Sequence, residues 1–92
     1  MKTNDIYIAN IGYDRKYTYY KIIGFQNGHY REVSNMLNLT YREYIAILIQ
    51  YNIINEPNNY RHGLFTKLRD AKKALNEYVI PQYIMIKLSE EI

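Results

Sequence analysis

The chain has 92 residues, enough for one domain whose core is just large enough to fold by itself. Its apolar fraction of 48% argues against wholesale disorder, and the lack of cysteine excludes disulfides and thiolate metal sites, which suits a reducing cytoplasm. The net charge of +3 is too small for the whole surface to attract polyanions. No secretory signal follows Met1, and no apolar run approaches the ~20 residues of a membrane helix, so we expect a cytoplasmic protein without membrane contact.

The N-terminal part of the chain predicts a β-hairpin. Asp5 to Ile11 and Tyr17 to Phe25 are both rich in β-branched and aromatic residues, which favour strands. The polar stretch from Gly12 to Lys16 is the predicted turn between them. Gln26-Asn27-Gly28 is expected to end the second strand, because Asn-Gly tolerates the positive φ of tight turns.

Between Tyr30 and Tyr51 the apolar residues change to a helical period. Val33, Met36 and Leu37 predict one short amphipathic helix. A second helix is predicted from the spacing of four apolar residues, namely Tyr44, Ile47, Leu48 and Tyr51. If these two helices cross steeply, the residues at the crossing and in the turn are restricted. The alternative is an αα-hairpin that only contributes to the core.

The segment from Arg31 to Asn52 resembles the helix-turn-helix family at those restricted positions. Val33-Ser34 supply an apolar residue and a small one where the helices cross, and Asn38 tolerates the left-handed φ of the turn. Leu37 is the anchor of the first helix and Leu39 the buried residue of the turn. Thr40 caps the second helix, with Glu43 three residues later completing a capping box.

One feature departs from the family pattern. The resemblance implies that the outward face of the second helix enters the DNA major groove, and Tyr41 and Arg42 suit that role. Ile45, Ala46 and Ile49 follow on the same face and cannot hydrogen-bond to base edges. We therefore expect much of this helix to be buried against the N-terminal hairpin or a second subunit of a homodimer. DNA contact would then shift to the segments that follow.

A hairpin directly after the second helix is typical of the winged subclass. Ile53 to Asn55 is a predicted strand, Pro57-Asn58-Asn59 a turn, and Tyr60 to Phe65 the return strand. This wing would place Asn and Arg side chains, which read base edges, beside Tyr and His, which contact sugar and phosphate. Its candidate DNA-binding residues are Asn58, Asn59, Tyr60, Arg61 and His62.

The segment from Thr66 to Val79 predicts a basic amphipathic helix. Leu68, Ala71, Leu75 and Val79 form its apolar stripe, Pro81 is expected to end it, and Gln82 to Leu88 is a predicted final strand. The candidate phosphate contacts on this helix are Lys67, Arg69, Lys72 and Lys73. The predicted fold is therefore a single α+β domain over residues 1–92: a winged helix-turn-helix with an N-terminal β-hairpin and a C-terminal helix plus strand.

The residues that could carry catalysis are scattered. His29 and His62 lie far apart, and neither serine belongs to a nucleophile motif. We therefore predict no catalytic residues, no metal site, no cofactor and no small-molecule ligand.

The predicted partner is double-stranded DNA, bound in a sequence-specific manner by a homodimer. The A/T-codon-rich composition favours a plasmid or phage protein. In size and in its use of the wing, the chain resembles small winged-helix proteins that bind transfer-origin repeats of conjugative plasmids, which implies an origin accessory or a transcriptional regulator. The alternative is a phage-encoded protein that binds and inhibits a host defence nuclease.

Overall fold

The structure is a computed structural model that describes residues 5–12, 18–55 and 63–90, and its class is α+β, as predicted. A small antiparallel sheet forms one layer and the helices form the other. The strands are Ile6–Asn10 (β1), Tyr20–Gln26 (β2), His29–Glu32 (β3) and Leu64–Phe65 (β4). The helices are Val33–Met36 (α1), Tyr41–Gln50 (α2), Leu68–Ala74 (α3) and Ile80–Glu90 (α4), with a π-helical segment, Leu75–Val79, joining the last two.

The predicted N-terminal hairpin is confirmed. β1 and β2 pair antiparallel, from Ile6 opposite Gly24 to Asn10 opposite Tyr20. Side chains alternate between the two faces of a strand, so one face of this hairpin can be apolar throughout. Ile6 and Ile22 are buried against the helices, and Phe25 faces outward.

The turn at Asn27-Gly28 is also confirmed, but a strand missed by the sequence analysis follows it. Both residues have positive φ, 54° and 82°, and Gln26 pairs with His29 across a two-residue turn. Such turns suit the twist of paired strands, so Asn-Gly starts a second hairpin here instead of ending the sheet. All four residues of β3 are exposed, which explains why no apolar alternation predicted it.

The predicted strand at Ile53–Asn55 is wrong. Ile53 and Ile54 are buried, but they belong to an irregular segment after α2. The end of the predicted return strand does form β4, whose Leu64 and Phe65 pair with β2. The two isoleucines are apolar because they pack in the core, and in the sequence such an apolar pair resembles part of a strand. β4 pairs with the main sheet. The described residues therefore contain no separate wing hairpin.

The helices cover one face of the sheet and close the core. Leu48, Phe65 and Val79 are among its fully buried side chains. Gly24 in β2 lets the helical layer approach closely, because a Cβ at that position would overlap the side chain of buried Met36 in α1. A glycine in the middle of a strand thus has a packing function here.

The C-terminal prediction of a strand is wrong. Residues 82–88 belong to α4, and Pro81 lies inside a helical run from Leu68 to Glu90 instead of ending it. The π-helical segment before the proline changes the hydrogen-bond register, so that the N–H of Ile80 donates to the carbonyl of Leu75. Because proline lacks an N–H and clashes with the preceding turn, a locally wider turn allows the helix to continue. Of the helices in the described ranges, none is both long enough and apolar enough for a membrane span.

Candidate nucleic-acid interface

The junction between α1 and α2 has the features expected from the sequence. Val33, Ser34 and Leu37 are buried, and Asn38 adopts the left-handed conformation with φ 59°. The N–H of Leu39 donates to the carbonyl of Ser34 at 2.9 Å, which fixes the turn. Leu39 is half-buried, and α1 is a single helical turn, shorter than the first helix of the predicted motif.

The predicted capping box at the start of α2 is confirmed. The N–H of Glu43 donates to Thr40 Oγ1 at 3.1 Å, and the N–H of Thr40 donates to Glu43 Oε1 at 3.0 Å. The hydrogen bond from the Thr40 backbone lowers the pKa of the Glu43 carboxyl, because it stabilises the charged form. The first turn of α2 is therefore held by reciprocal bonds although it lies at the surface.

The solvent-facing side of α2 differs from the expectation. Ile45 is only 9% exposed and packs in the core of the same chain, together with Tyr44 and Leu48. Residues three, four or seven positions apart share a helix face, so the exposed residues form one continuous stripe. This surface, called the α2 stripe below, comprises Arg42, Ala46, Ile49 and Gln50, and the exposed acid Glu43 borders it beside Ala46 and Gln50.

Tyr41, at the first position of α2, has a structural partner. Its hydroxyl accepts a hydrogen bond from the N–H of Gly63 at 2.9 Å. This bond ties the start of α2 to the segment that enters β4. The Tyr41 side chain is still 41% exposed, so its ring edge remains at the surface beside Arg42.

The basic residues predicted on the third helix lie at the surface of α3. The four form what we call the α3 basic cluster: Lys67, Arg69, Lys72 and Lys73, all exposed. Arg69, Lys72 and Lys73 share one helix face because they are three and four positions apart. Arg69 has an acidic neighbour, with its Nε 3.5 Å from Asp70 Oδ1, but its side chain is 76% exposed. The cluster therefore presents several cations to the solvent.

Two contacts join the C-terminal end of α2 to the helical run that carries this cluster. Lys73 Nζ donates to the carbonyl of Asn52 at 3.3 Å, just after α2 ends. The rings of Tyr51 and Tyr78 pack with their centroids 5.4 Å apart. One cation of the α3 basic cluster, Lys73, therefore lies just beyond the C-terminal end of α2.

The predicted contacts at the wing tip, Asn58 to His62, lie outside the described residues. Gln50 is a surface residue of α2 that was not among the predicted site residues. The signal was present, because Arg42, Ala46, Ile49 and Gln50 repeat at helical spacing opposite the buried Tyr44. Treating Ile45 as outward obscured this pattern.

A second exposed patch lies on the outer face of the sheet. Phe25 and Tyr30 pack edge to face with centroids 5.2 Å apart, and Tyr7 packs against Tyr30 at 6.5 Å. Tyr30 is 69% exposed, the most exposed of the three. We call these three side chains the sheet aromatic patch.

Within the described ranges, no cluster of three or more histidine or carboxylate side chains could hold a metal ion. Comparison with protein-family models, curated proteins and solved structures found no match for this chain.

Proposed function

We propose that the chain binds duplex DNA in a sequence-specific manner, with the α2 stripe in the major groove and the α3 basic cluster on phosphates. The observation that carries this proposal is the contact of Lys73 with the Asn52 carbonyl, which places a cation of the cluster just beyond the C-terminal end of α2. A helix that reads bases needs exposed side chains that can contact base edges and nearby cations that position it on the DNA backbone. An exposed helix face with cations nearby favours a polyanion such as DNA as the ligand over an uncharged molecule.

The length of the α2 stripe suits a groove. Arg42 and Gln50 are eight residues apart, which corresponds to about 12 Å along a helix. The major groove is also about 12 Å wide. Cationic groups lie near both ends, Arg42 at the start of α2 and Lys73 beyond its end. Each could reach a groove edge while the stripe faces the bases.

The sequence favoured a shift of DNA contact from α2 to the later segments, but Ile45 is buried in the core and the polar side chains of Arg42 and Gln50 lie at the two ends of the exposed stripe. Arg42 has the forked donors that pair with guanine, and Gln50 has the donor and acceptor that pair with adenine. Ala46 is short enough to permit close approach, and Ile49 could contact a thymine methyl group. We expect these positions to set sequence preference.

The basic cluster supplies affinity that does not depend on sequence. Each lysine or arginine that neutralises a phosphate releases a counterion, so binding weakens as salt concentration rises. Replacing Lys72 by alanine should weaken binding to all duplexes alike and reduce the slope of log K against log salt by about one. A lysine on α4, Lys87, provides a matched control, since its removal deletes the same charge elsewhere.

The test begins with selection of bound duplexes from a random DNA library and measurement of the salt slope. An enriched motif is expected for the native chain. The Arg42→Ala and Gln50→Ala variants should each lose about 1–3 kcal/mol at one base position and relax preference there.

Three results would contradict the proposal. They are the absence of an enriched motif, equal salt slopes for the Lys72→Ala and Lys87→Ala variants, and unchanged base preference for Arg42→Ala and Gln50→Ala. The arrangement of motif copies in the selected duplexes also bears on the biological role. Inverted copies of a motif would favour a transcriptional regulator, and tandem copies would favour an origin accessory of a plasmid or phage.

The sheet aromatic patch supports a second candidate function, the binding and inhibition of another protein. Exposed tyrosine and phenylalanine rings are enriched at protein interfaces because they bury large areas at low entropic cost. Tyr30→Ala would then abolish partner binding without changing DNA affinity. A protein with this function alone would show no enriched DNA motif.

A further inference from the structure

An exposed acid, Glu43, borders the α2 stripe. With 3.6 residues per turn, successive residues lie about 100° apart around a helix axis. Around α2, Glu43 is therefore about 20° from Gln50 and about 60° from Ala46. Tyr44 and Leu48 of the buried face lie about 100° or more from it. A surface that contacts the stripe would therefore meet the Glu43 carboxylate as well.

The capping box holds this carboxylate in place. Glu43 Oε1 accepts a hydrogen bond from the N–H of Thr40 at 3.0 Å. An ionised carboxylate has about four acceptor sites on its two oxygens, so this bond leaves acceptor capacity for a second partner. The bonds to Thr40 also lower the pKa of the carboxyl, so the group is charged at neutral pH. Glu43 is thus a fixed, acceptor-only group at the edge of the stripe.

A negative charge at this place does not help general DNA binding, because it repels the phosphates that the α3 basic cluster attracts. The capping box does not require the charge either, since glutamine at the third helix position completes the box as well. The helix dipole favours an acid in the first turn, but salt weakens that effect at the surface. A base edge that donates a hydrogen bond is a partner for which the charge strengthens the contact.

Only some base edges suit an acceptor-only group. In the major groove guanine presents two acceptors, and thymine presents an acceptor and a methyl group. Adenine presents a donor beside an acceptor, whereas cytosine presents its N4 donor alone. We propose that Glu43 reads cytosine by accepting a hydrogen bond from the N4 amino group. This role of Glu43 rests on the proposed function, since it needs the α2 stripe to face the major groove.

Arg42 limits where the cytosine lies. Consecutive helix residues advance by about 1.5 Å along the axis, which is less than the roughly 3.4 Å between base pairs. Arg42 and Glu43 would therefore reach the same base pair or two adjacent pairs. Since an arginine pairs with guanine, the cytosine should be the partner of that guanine or belong to a neighbouring pair. Gln50 lies about two turns further along α2 and should read a separate position.

The Glu43→Gln variant tests this role, because glutamine retains the capping box and removes the charge. Affinities are measured for the motif selected by the native chain and for duplexes substituted at each of its positions. At one position the native chain should prefer cytosine by about tenfold over guanine and thymine. The variant should lose most of that preference and shift towards adenine, whose donor and acceptor match a glutamine amide. It should also bind unrelated duplexes more tightly, because a charge that repels phosphates is gone.

Glu77→Gln is the matched control, because it removes an exposed acid from the π-helical segment instead of α2. Both variants should keep the native circular dichroism spectrum, and Glu77→Gln should keep the native base preference. Base preference is a ratio of affinities, so a variant that is only partly folded still reports it.

A selected motif without cytosine at or beside the position that Arg42→Ala relaxes would overturn the cytosine contact and leave the proposed function in place. Unchanged base preference in Glu43→Gln, or a change that Glu77→Gln reproduces, would do the same. A native chain that enriches no motif would overturn both the contact and the proposed function.

Discussion

Two tyrosine hydroxyls at the ends of the first turn of α2 occupy opposite environments. Tyr41 OH accepts the hydrogen bond of Gly63, a buried residue. Tyr44 OH is buried without a hydrogen-bond partner among the described residues. A polar group that is buried without a partner has lost its hydrogen bonds to water and has formed none within the protein. The same chemical change, removal of one oxygen, should therefore have opposite effects at the two positions.

We predict that Tyr41→Phe lowers the free energy of unfolding by about 1–3 kcal/mol, since the Gly63 N–H loses its acceptor. Tyr44→Phe should leave it unchanged or raise it by about 1 kcal/mol, because the ring stays and only the unpaired hydroxyl is removed. Urea denaturation of both variants at neutral pH measures the difference. Equal destabilisation would show that the Tyr44 hydroxyl has a partner in solution.

Burial of Tyr44 also predicts alkaline sensitivity. Its burial raises the pKa of the phenol well above the ordinary value, and burial raises the pKa of Tyr78 and Tyr83 as well. A raised folded-state pKa contributes stability that is complete below about pH 10, the unfolded value, and is lost as pH rises above it.

Stability should therefore fall as pH rises above about 10, and it should fall less steeply in the Tyr44→Phe variant. Unfolding free energies measured from pH 7 to pH 11 test this. The difference between the two proteins isolates Tyr44 from the lysines that titrate in the same range. Parallel curves would contradict the assignment.

At the scale of the secondary-structure element, local sequence signals predicted some helix boundaries correctly and others wrongly. The capping box of Thr40 and Glu43 correctly located the start of α2, because both bonds lie within four residues. Pro81 was the wrong signal for the end of a helix, because its cost depends on the turn before it. The π-helical segment before Pro81 relieves the cost of a proline inside a helix, and no feature of the local sequence pattern predicted that segment.

We predict that Thr40→Ala destabilises the chain by about 0.5–2 kcal/mol, since the N–H of Glu43 loses its acceptor. Thr40→Ser keeps the hydroxyl and is the matched control, with a smaller effect expected. Thermal unfolding followed by circular dichroism measures both. If the alanine and serine variants melted together, the hydroxyl bond would have no energetic role in α2.

At the scale of the whole molecule, the proposed functional surfaces lie on different helices. The α2 stripe lies on one helix and the α3 basic cluster on another, and Lys73 of the cluster contacts the Asn52 carbonyl just after α2 ends. The molecule is elongated, with extents of 46 × 29 × 20 Å.

The sequence by itself determined the features that depend on neighbouring residues: the β1–β2 hairpin, the Asn27-Gly28 turn, the left-handed Asn38 and the cap of α2. Their hydrogen bonds and backbone preferences act within a few positions, so the residue types suffice. Only the tertiary structure decided the pairing of β4, the helical state of residues 82–88 and the burial of Ile45. Apolar runs such as Ile53-Ile54 and Tyr83 to Ile86 favour burial without specifying strand or helix, and packing against the rest of the chain makes that choice.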